Sequence, residues 1–296
     1  MATISILGSH IGGLAAAARL RVKGHTVTIH DDSPQVAPQL ATMPNRLTLP
    51  AALRDLFLKT GSGIDELVTL RECDIAYRAR ISYDTGFDLP GFGVSATTQA
   101  IEQSLGKAAA REWNSSMRRA AQEWMLLHKQ VENYRGYVDV LTKMSSQSWW
   151  KRPTQGLRHE QLITIRDASP FHTEAPVLRN LMPYIAATFG VYSIEGGLPR
   201  LGHVLRERCE NLGVEFHLGS PIDTASISSD LVVIADPDNI ERTPLSQHLK
   251  AGSMVRFDMT TNKSNVFVVG ESTYPGPGLS FSVLSAAMLA NLIGSA

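Results

Sequence analysis

The stretch "SILGSHIGGLAAAARLRVKGHTVTIHDD", residues 5–32, decides the fold. It runs from an apolar segment through a glycine-bearing turn into a helix of small residues, then into a second apolar segment. "TISIL" (3–7) has the continuous apolar character of a strand buried on both faces. "GGLAAAARLRVKG" predicts a helix closed by Gly24, and "TVTIH" (26–30) a second strand. Such a βαβ unit binds dinucleotides because the helix start offers unpaired N–H groups and a positive dipole end to a pyrophosphate. In the usual fingerprint the first glycine makes the turn, the second admits the phosphates and the third lets helix and strand pack. Here Gly8 and Gly13 hold the first and third places, His10 replaces the second, and Gly12 is additional. Asp31 lies 23 residues beyond Gly8, where an acidic residue would take ribose hydroxyls. The turn Gly8, Ser9, His10, Ile11, Gly12 and Gly13, with Asp31, is thus the candidate cofactor surface. His10 sets the problem: it stands where a phosphate should approach the backbone.

Outward from this unit the pattern stays mixed α/β. A helix is expected in "LPAALRDLFLKTG", ending at Gly61, followed by strands in "IDELVTLREC" and "AYRARISYDTGFDL" with a turn at Asp84 to Gly86. Residues from about Thr97 to Met144 read as largely helical, with Ile101, Leu105, Trp113, Met117, Trp124 and Leu127 on the apolar face. Pro153 breaks that region, and a second helical stretch runs from Glu174 to Thr188. "GGLPRLGHVLRERCENLGVEFHL" predicts a helix, a turn at Gly213 and a strand. "DLVVIAD" (230–236) and "NVFVVG" (265–270) read as buried strands, and "SVLSAAMLANLIG" as a terminal helix. The expected architecture is a Rossmann-like domain from both ends of the chain, residues 1–96 and 190–296. A helical insertion, 97–189, would be its reduced substrate domain.

Composition excludes several classes. Lys+Arg and Asp+Glu are both 28 in 296 residues, so no global field draws nucleic acid. Two cysteines, Cys73 and Cys209, provide no disulfide framework or metal cluster. No signal peptide is visible and no stretch reaches the roughly 20 apolar residues of a membrane span, so a cytoplasmic protein is expected. His159, Glu160 and His172 lack metal-ligand spacing, and no GxSxG elbow supports a hydrolase. Arg179 and Arg200 read as solvated helix residues, and "SWW" (148–150), Trp113, Trp124, Tyr184 and Phe189 as core in preference to a substrate channel.

Four segments together resemble the phytoene desaturase (carotenoid desaturase) family, within the FAD-dependent amine-oxidase-like flavoproteins. They are the N-terminal unit, residues 47–81, residues 181–222, and "VFVVGESTYPGPGLSFSVLSAAMLANLI" (266–293). The resemblance implies FAD, and it implies that the last segment is the C-terminal cofactor motif. There Gly270 ends a strand, Glu271 lies near the ribityl–pyrophosphate, and Gly278, Leu279 and Ser280 open a helix toward the flavin. A helix start would stabilise the negative charge that develops on a reduced flavin.

The sequence also departs from the family. Besides His10, the family's "GGR" stretch is absent, with "SPQVAPQLATMPNRLTLP" following Asp32 instead. Only residues 239–264 fill the interval where the family has much of its substrate-covering sheet. The chain reads as a shortened, divergent member. The expected function is an FAD-binding oxidoreductase acting on a small apolar molecule, with FAD held weakly and NAD less favoured. The alternative is a non-catalytic member serving as a binding partner or scaffold for another protein. No catalytic acid or base is assigned.

Overall fold

The computed structural model describes residues 1–81, 86–132, 157–171, 176–222, 227–235, 259, 265–271, 273 and 275–296. The chain divides into two compact units: Met1–Met43 with Ala51–Thr69 and Ile194–Ala296, and Pro44–Pro50 with Leu70–Ser193.

The first unit begins with β1 (Thr3–Leu7), α1 (Ile11–Val22) and β2 (Thr26–Asp31). Alanines and unbranched side chains favour helix in α1, and its small residues let neighbours approach on every side. Ile11 to Leu20 are all buried, because α1 packs against the sheet and three other helices. It ends in a Schellman turn: Gly24, at φ +94°, donates to the Arg21 carbonyl and His25 to that of Leu20. The other strands and helices of this sheet come much later in the chain, so labels follow chain order through both units.

In the first unit lies α2 (Ala51–Thr60); in the second, β3 (Leu47–Thr48), β4 (Leu70–Glu72), β5 (Ile75–Arg80), β6 (Gly86–Pro90), α3 (Val94–Glu132), α4 (Glu160–Asp167), α5 (Pro176–Phe189) and β7 (Val191–Ile194). The first unit resumes with α6 (Pro199–Asn211), β8 (Glu215–Leu218), β9 (Leu231–Ile234), β10 (Val266–Val268) and α7 (Leu279–Ile293).

Five strands form one parallel sheet in the order β10-β9-β1-β2-β8. Counted along the chain and read from β8, that is the Rossmann order 3-2-1-4-5. "TISIL" and "NVFVVG" therefore share a sheet, separated by β9 alone. The order reverses between β1 and β9, and ligands of open α/β sheets bind at the C-terminal edge of such a switch point. Leu7, Val232, Ile234, Val266 and Val268 make an apolar cluster on one face of the sheet. Cys209 is fully buried on α6, and burial pushes its thiol up to about 12, so it is no nucleophile.

In the second unit β3, β7 and β4 form a small sheet and β5–β6 an antiparallel hairpin. The core joins Trp113, Met117, Leu162 and Ile165 with Ala79 and Leu89 of the hairpin. Trp113 is core, as expected, and Trp124 packs on Phe189 with ring centroids 5.2 Å apart. The structure differs from the sequence reading in several places, among them the unforeseen strands β3 and β7. Residues 64–66 form a 3-10 turn, not strand, because the Glu66 carboxylate accepts the Gly63 N–H at 3.3 Å. The long helix breaks at Gly106, which has φ 86° and ψ 172°. Helix α4 carries no clear periodic signal; its start is capped by Glu112, whose Oε1 accepts the N–H groups of Arg158 and His159. Residues 133–144, "SWW", Pro153, His172, Glu174 and residues 82–85, which include Asp84 of the expected turn, lie outside the described residues.

Candidate functional site

At the end of β1, Gly8 adopts φ +104°, a conformation that glycine reaches without penalty, and its N–H donates to the His30 carbonyl. The chain then turns into α1. Ser9 is fully buried, and both its N–H and its hydroxyl donate to Asp31 Oδ2, at 2.5 and 2.6 Å. Asp31 Oδ1 accepts the Ser33 N–H at 2.8 Å. Asp31, placed at the end of β2 as expected, thus locks the glycine turn onto the neighbouring strand. A carboxylate has about four acceptor sites, so this leaves about one for an incoming hydroxyl.

His10 is the N-cap residue of α1, with φ −61° and ψ 164°. That is extended backbone open to any residue, so the imidazole causes no backbone strain. Gly13 performs the packing task assigned to a third glycine. A Cβ there would lie 2.4 Å from the Gly8 carbonyl oxygen and 2.8 Å from Ala235 Cβ. Gly12, additional in the sequence, has a task of its own, since its Cβ would lie 2.8 Å from Gly270 Cα. The start of α1 and the C-terminal turn meet backbone to backbone at this point.

The C-terminal turn is fastened from below. Gly270, at φ +103°, donates its N–H to Ser285 Oγ at 3.0 Å, and Thr273 Oγ1 donates to the Gly270 carbonyl at 2.9 Å. The Thr273 proton being committed there, Ser285 donates in the 2.6 Å contact between the two hydroxyls. Gly278 is the N-cap of α7 at φ +126°, followed by the buried Leu279 and Ser280. Glu271 lines the crevice between the two helix starts: water reaches it, yet protein surrounds it. This crowding raises its carboxyl pKa, while the His10 imidazole and the Gly278 N–H, which donates to it, pull in the other direction.

The structure therefore brings Gly8 beside Gly13, Ser9 to Asp31, Gly12 to Gly270, and Glu271 within the influence of His10. The sequence reading missed Thr273, Ser282 and Ser285. The signal for Ser282 and Ser285 was hydroxyl residues recurring in an otherwise apolar terminal helix; Thr273, in the turn before it, had none. Ser282 is fully buried, and its hydroxyl has no hydrogen-bond partner among the described residues; its Cβ is 3.7 Å from where a Gly12 Cβ would stand.

No protein-family model matches the chain. It is 23% identical over 258 residues to the 1-hydroxycarotenoid 3,4-desaturase of a Flavobacterium species, covering 77% of this chain and 52% of that protein. It is 24% identical over 248 residues to the 4,4'-diapophytoene desaturase (4,4'-diaponeurosporene-forming) of Staphylococcus aureus strain Newman, covering 74% and 49% respectively. The chain is a divergent, phytoene desaturase-like sequence. This desaturase-like chain spans about half the length of the curated relatives it matches. Among solved structures it is similar to an oxidoreductase from Methanosarcina mazei, with 14% identity, 79% of this chain and 58% of that one covered, and a TM-score of 0.45. Among the described residues no helix is long and apolar enough to cross a membrane.

The desaturase-like site passes a test of fit for a dinucleotide diphosphate. Neither α1 nor α7 has a side-chain cap or an acidic residue in its first turn. Two helix starts without side-chain caps thus converge on one crevice, joined through a contact that only glycines permit. Such a pair suits a group with two negative charges.

Proposed function

We propose that this chain binds FAD in the crevice between α1 and α7, weakly, and that the fold serves oxidoreduction of an apolar small molecule. The observation that carries this reading is the convergence of two uncapped helix starts at the sheet's switch point through the Gly12–Gly270 contact. Gly8, Ser9, His10, Ile11, Gly12 and Gly13 would face the pyrophosphate, Asp31 the adenosine ribose, and Gly270, Glu271, Gly278, Leu279 and Ser280 the ribityl–flavin end. FAD is favoured over NAD because the second helix start is an addition to the βαβ unit that a nicotinamide dinucleotide does not require. Both relatives above are named as carotenoid desaturases, which supports a long apolar substrate. When bound, FAD supplies the electron chemistry; the chain binds it and holds it in place.

Weak binding follows from His10. An imidazole at this position keeps the backbone from one close phosphate contact, and losing a hydrogen bond to an anion costs about 1.5–3 kcal/mol. That corresponds to roughly one to two decades in Kd. Titrating FAD into the wild type and His10→Gly, followed by flavin fluorescence, tests the reading. Tighter binding by His10→Gly is expected. Failure of both proteins to bind FAD would refute it.

A further inference from the structure

The face of the parallel sheet opposite the buried Val27 and Ile29 carries Thr26, Thr28 and His30 on β2, and Glu215 and His217 on β8. Polar residues suit a sheet face that meets water, and threonine alone would serve. Instead the two strands place histidines directly in register, His30 beside His217. Their rings touch, with centroids 5.0 Å apart and planes at 75°. We propose that His30 and His217 form a two-imidazole site for a first-row divalent ion of the zinc or nickel type, joining β8 to β2. This site is independent of the FAD reading above.

Imidazole nitrogens bind such ions at about 2.0–2.1 Å. Two rings sharing one ion, at about 90–110° to each other, therefore have centroids about 4.5–5 Å apart. The observed separation lies in that range. In-register pairing already holds the two backbones at the strand spacing of about 4.8 Å. Only the His217 side chain, which is exposed, has to rotate. His30 is oriented from its other side, since its Nε2 lies 3.4 Å from Oγ of the buried Ser5 on β1. In the tautomer whose Nε2–H donates to Ser5, Nδ1 carries the lone pair that a metal needs. Ligating histidines are held in this way through their second ring nitrogen.

Glu215 stands two residues before His217 on the same face, roughly 7 Å along the strand. That is near enough to attract a cation and too far to complete a ligand set. Among the described residues no three His, Cys, Asp or Glu side chains gather to hold an ion, so water fills the remaining positions. Imidazole with water selects zinc, nickel or copper over magnesium, which takes oxygen ligands. The effect falls on the edge of the sheet, where β8 pairs with β2. The end of β2 is also the anchor of the glycine turn, through the His30 carbonyl to Gly8 and Asp31 to Ser9.

The experiment uses the full chain, stripped of metal by a chelator, with its His30→Gln and His217→Gln variants. Zn2+ is titrated by calorimetry, with Mg2+ as control, and Tm is measured at each concentration. Zn2+ should bind the wild type and raise its Tm, while Mg2+ does neither. Either variant should bind Zn2+ at least about tenfold more weakly, because losing an outer-shell partner alone costs about 10–100-fold. His217 is exposed on an edge strand, so its variant keeps the fold, which far-ultraviolet circular dichroism verifies. Substoichiometric Cu2+, a paramagnetic probe, should broaden the NMR signals of His30 and His217 before those of any other histidine. Equal Zn2+ affinity in wild type and His217→Gln, or broadening that begins at other histidines, would make the ring contact ordinary aromatic packing and overturn the proposal. A Tm raised as much by Mg2+ as by Zn2+ would overturn it too, by reducing the effect to charge alone.

Discussion

Gly13→Ala tests the contact on which the whole turn depends. In an exposed helix this substitution stabilises by about 1 kcal/mol, because alanine loses less backbone entropy. Here the added methyl would sit 2.4 Å from the Gly8 carbonyl oxygen and 2.8 Å from Ala235 Cβ. Neither atom is the end of a flexible side chain, so α1 must move off β1 and β9. Overpacking of this kind costs about 1–3 kcal/mol, and contacts to backbone belong at the upper end. With the propensity gain subtracted, a net loss of about 2 kcal/mol is expected. For a unit of this size that lowers Tm by about 4–8 °C. Thermal unfolding followed by far-ultraviolet circular dichroism, with and without FAD, reads it directly. A Tm equal to or above that of the wild type would refute the close approach, and with it the geometry of the phosphate-facing turn.

Other perturbations have equally definite outcomes. Arg208 reaches from α6 to the carbonyls of Phe57 and Ser62 and the Ser62 hydroxyl, all within 3.2 Å, closing the end of α2. Arg208→Ala should lose about 3 kcal/mol in denaturant unfolding, and Arg208→Lys should not restore it, since an ammonium cannot span the fork. Ser285→Ala leaves the buried Gly270 N–H without its acceptor and should cost about 1–3 kcal/mol, seen as a lower Tm and faster amide exchange at Gly270. Stability should also fall with acid in two steps. Burial and the nearby His217 lower the His30 pKa, so the native state binds its proton less readily than the unfolded chain. Its contribution is full above the ordinary histidine pKa of about 6.5 and is lost as pH falls through that value toward the folded pKa. At Asp55, burial alone would raise the pKa, but hydrogen bonds from Arg19 and Lys59 hold it below the usual range. Its contribution is present above about pH 4 and is lost as pH falls through the lower folded pKa. His30→Gln should flatten the first step and Asp55→Asn the second, in Tm measured across pH.

Local signals made the frame of the fold legible. Two short apolar runs around an alanine-rich helix fix a βαβ unit, and similar runs at 231–234 and 266–268 join the same sheet. What the sequence hid depends on partners distant in the chain. Gly12 looked superfluous because its reason is Gly270, 258 residues later. Helix α4 depends on a carboxylate from α3, at Glu112, for its start, and the two-residue strand β3 exists only because it pairs with β7. Asp31 was placed correctly at the end of β2, yet its spacing from Gly8 could not reveal that Ser9 already occupies one of its oxygens.

His10 illustrates the limit most sharply. From the sequence, a side chain in place of the second glycine raises two separate objections: a strained backbone and a blocked approach. The extended φ of −61° removes the first, so this position requires no glycine for its conformation. Only the second remains, and it depends on what stands opposite. What stands near it comes from the far end of the sequence: Glu271, whose carboxyl the imidazole pulls down against the upward effect of its surroundings. The substitution at residue 10 is therefore read properly only together with residue 271, and a variant at either position alone changes the environment of the other.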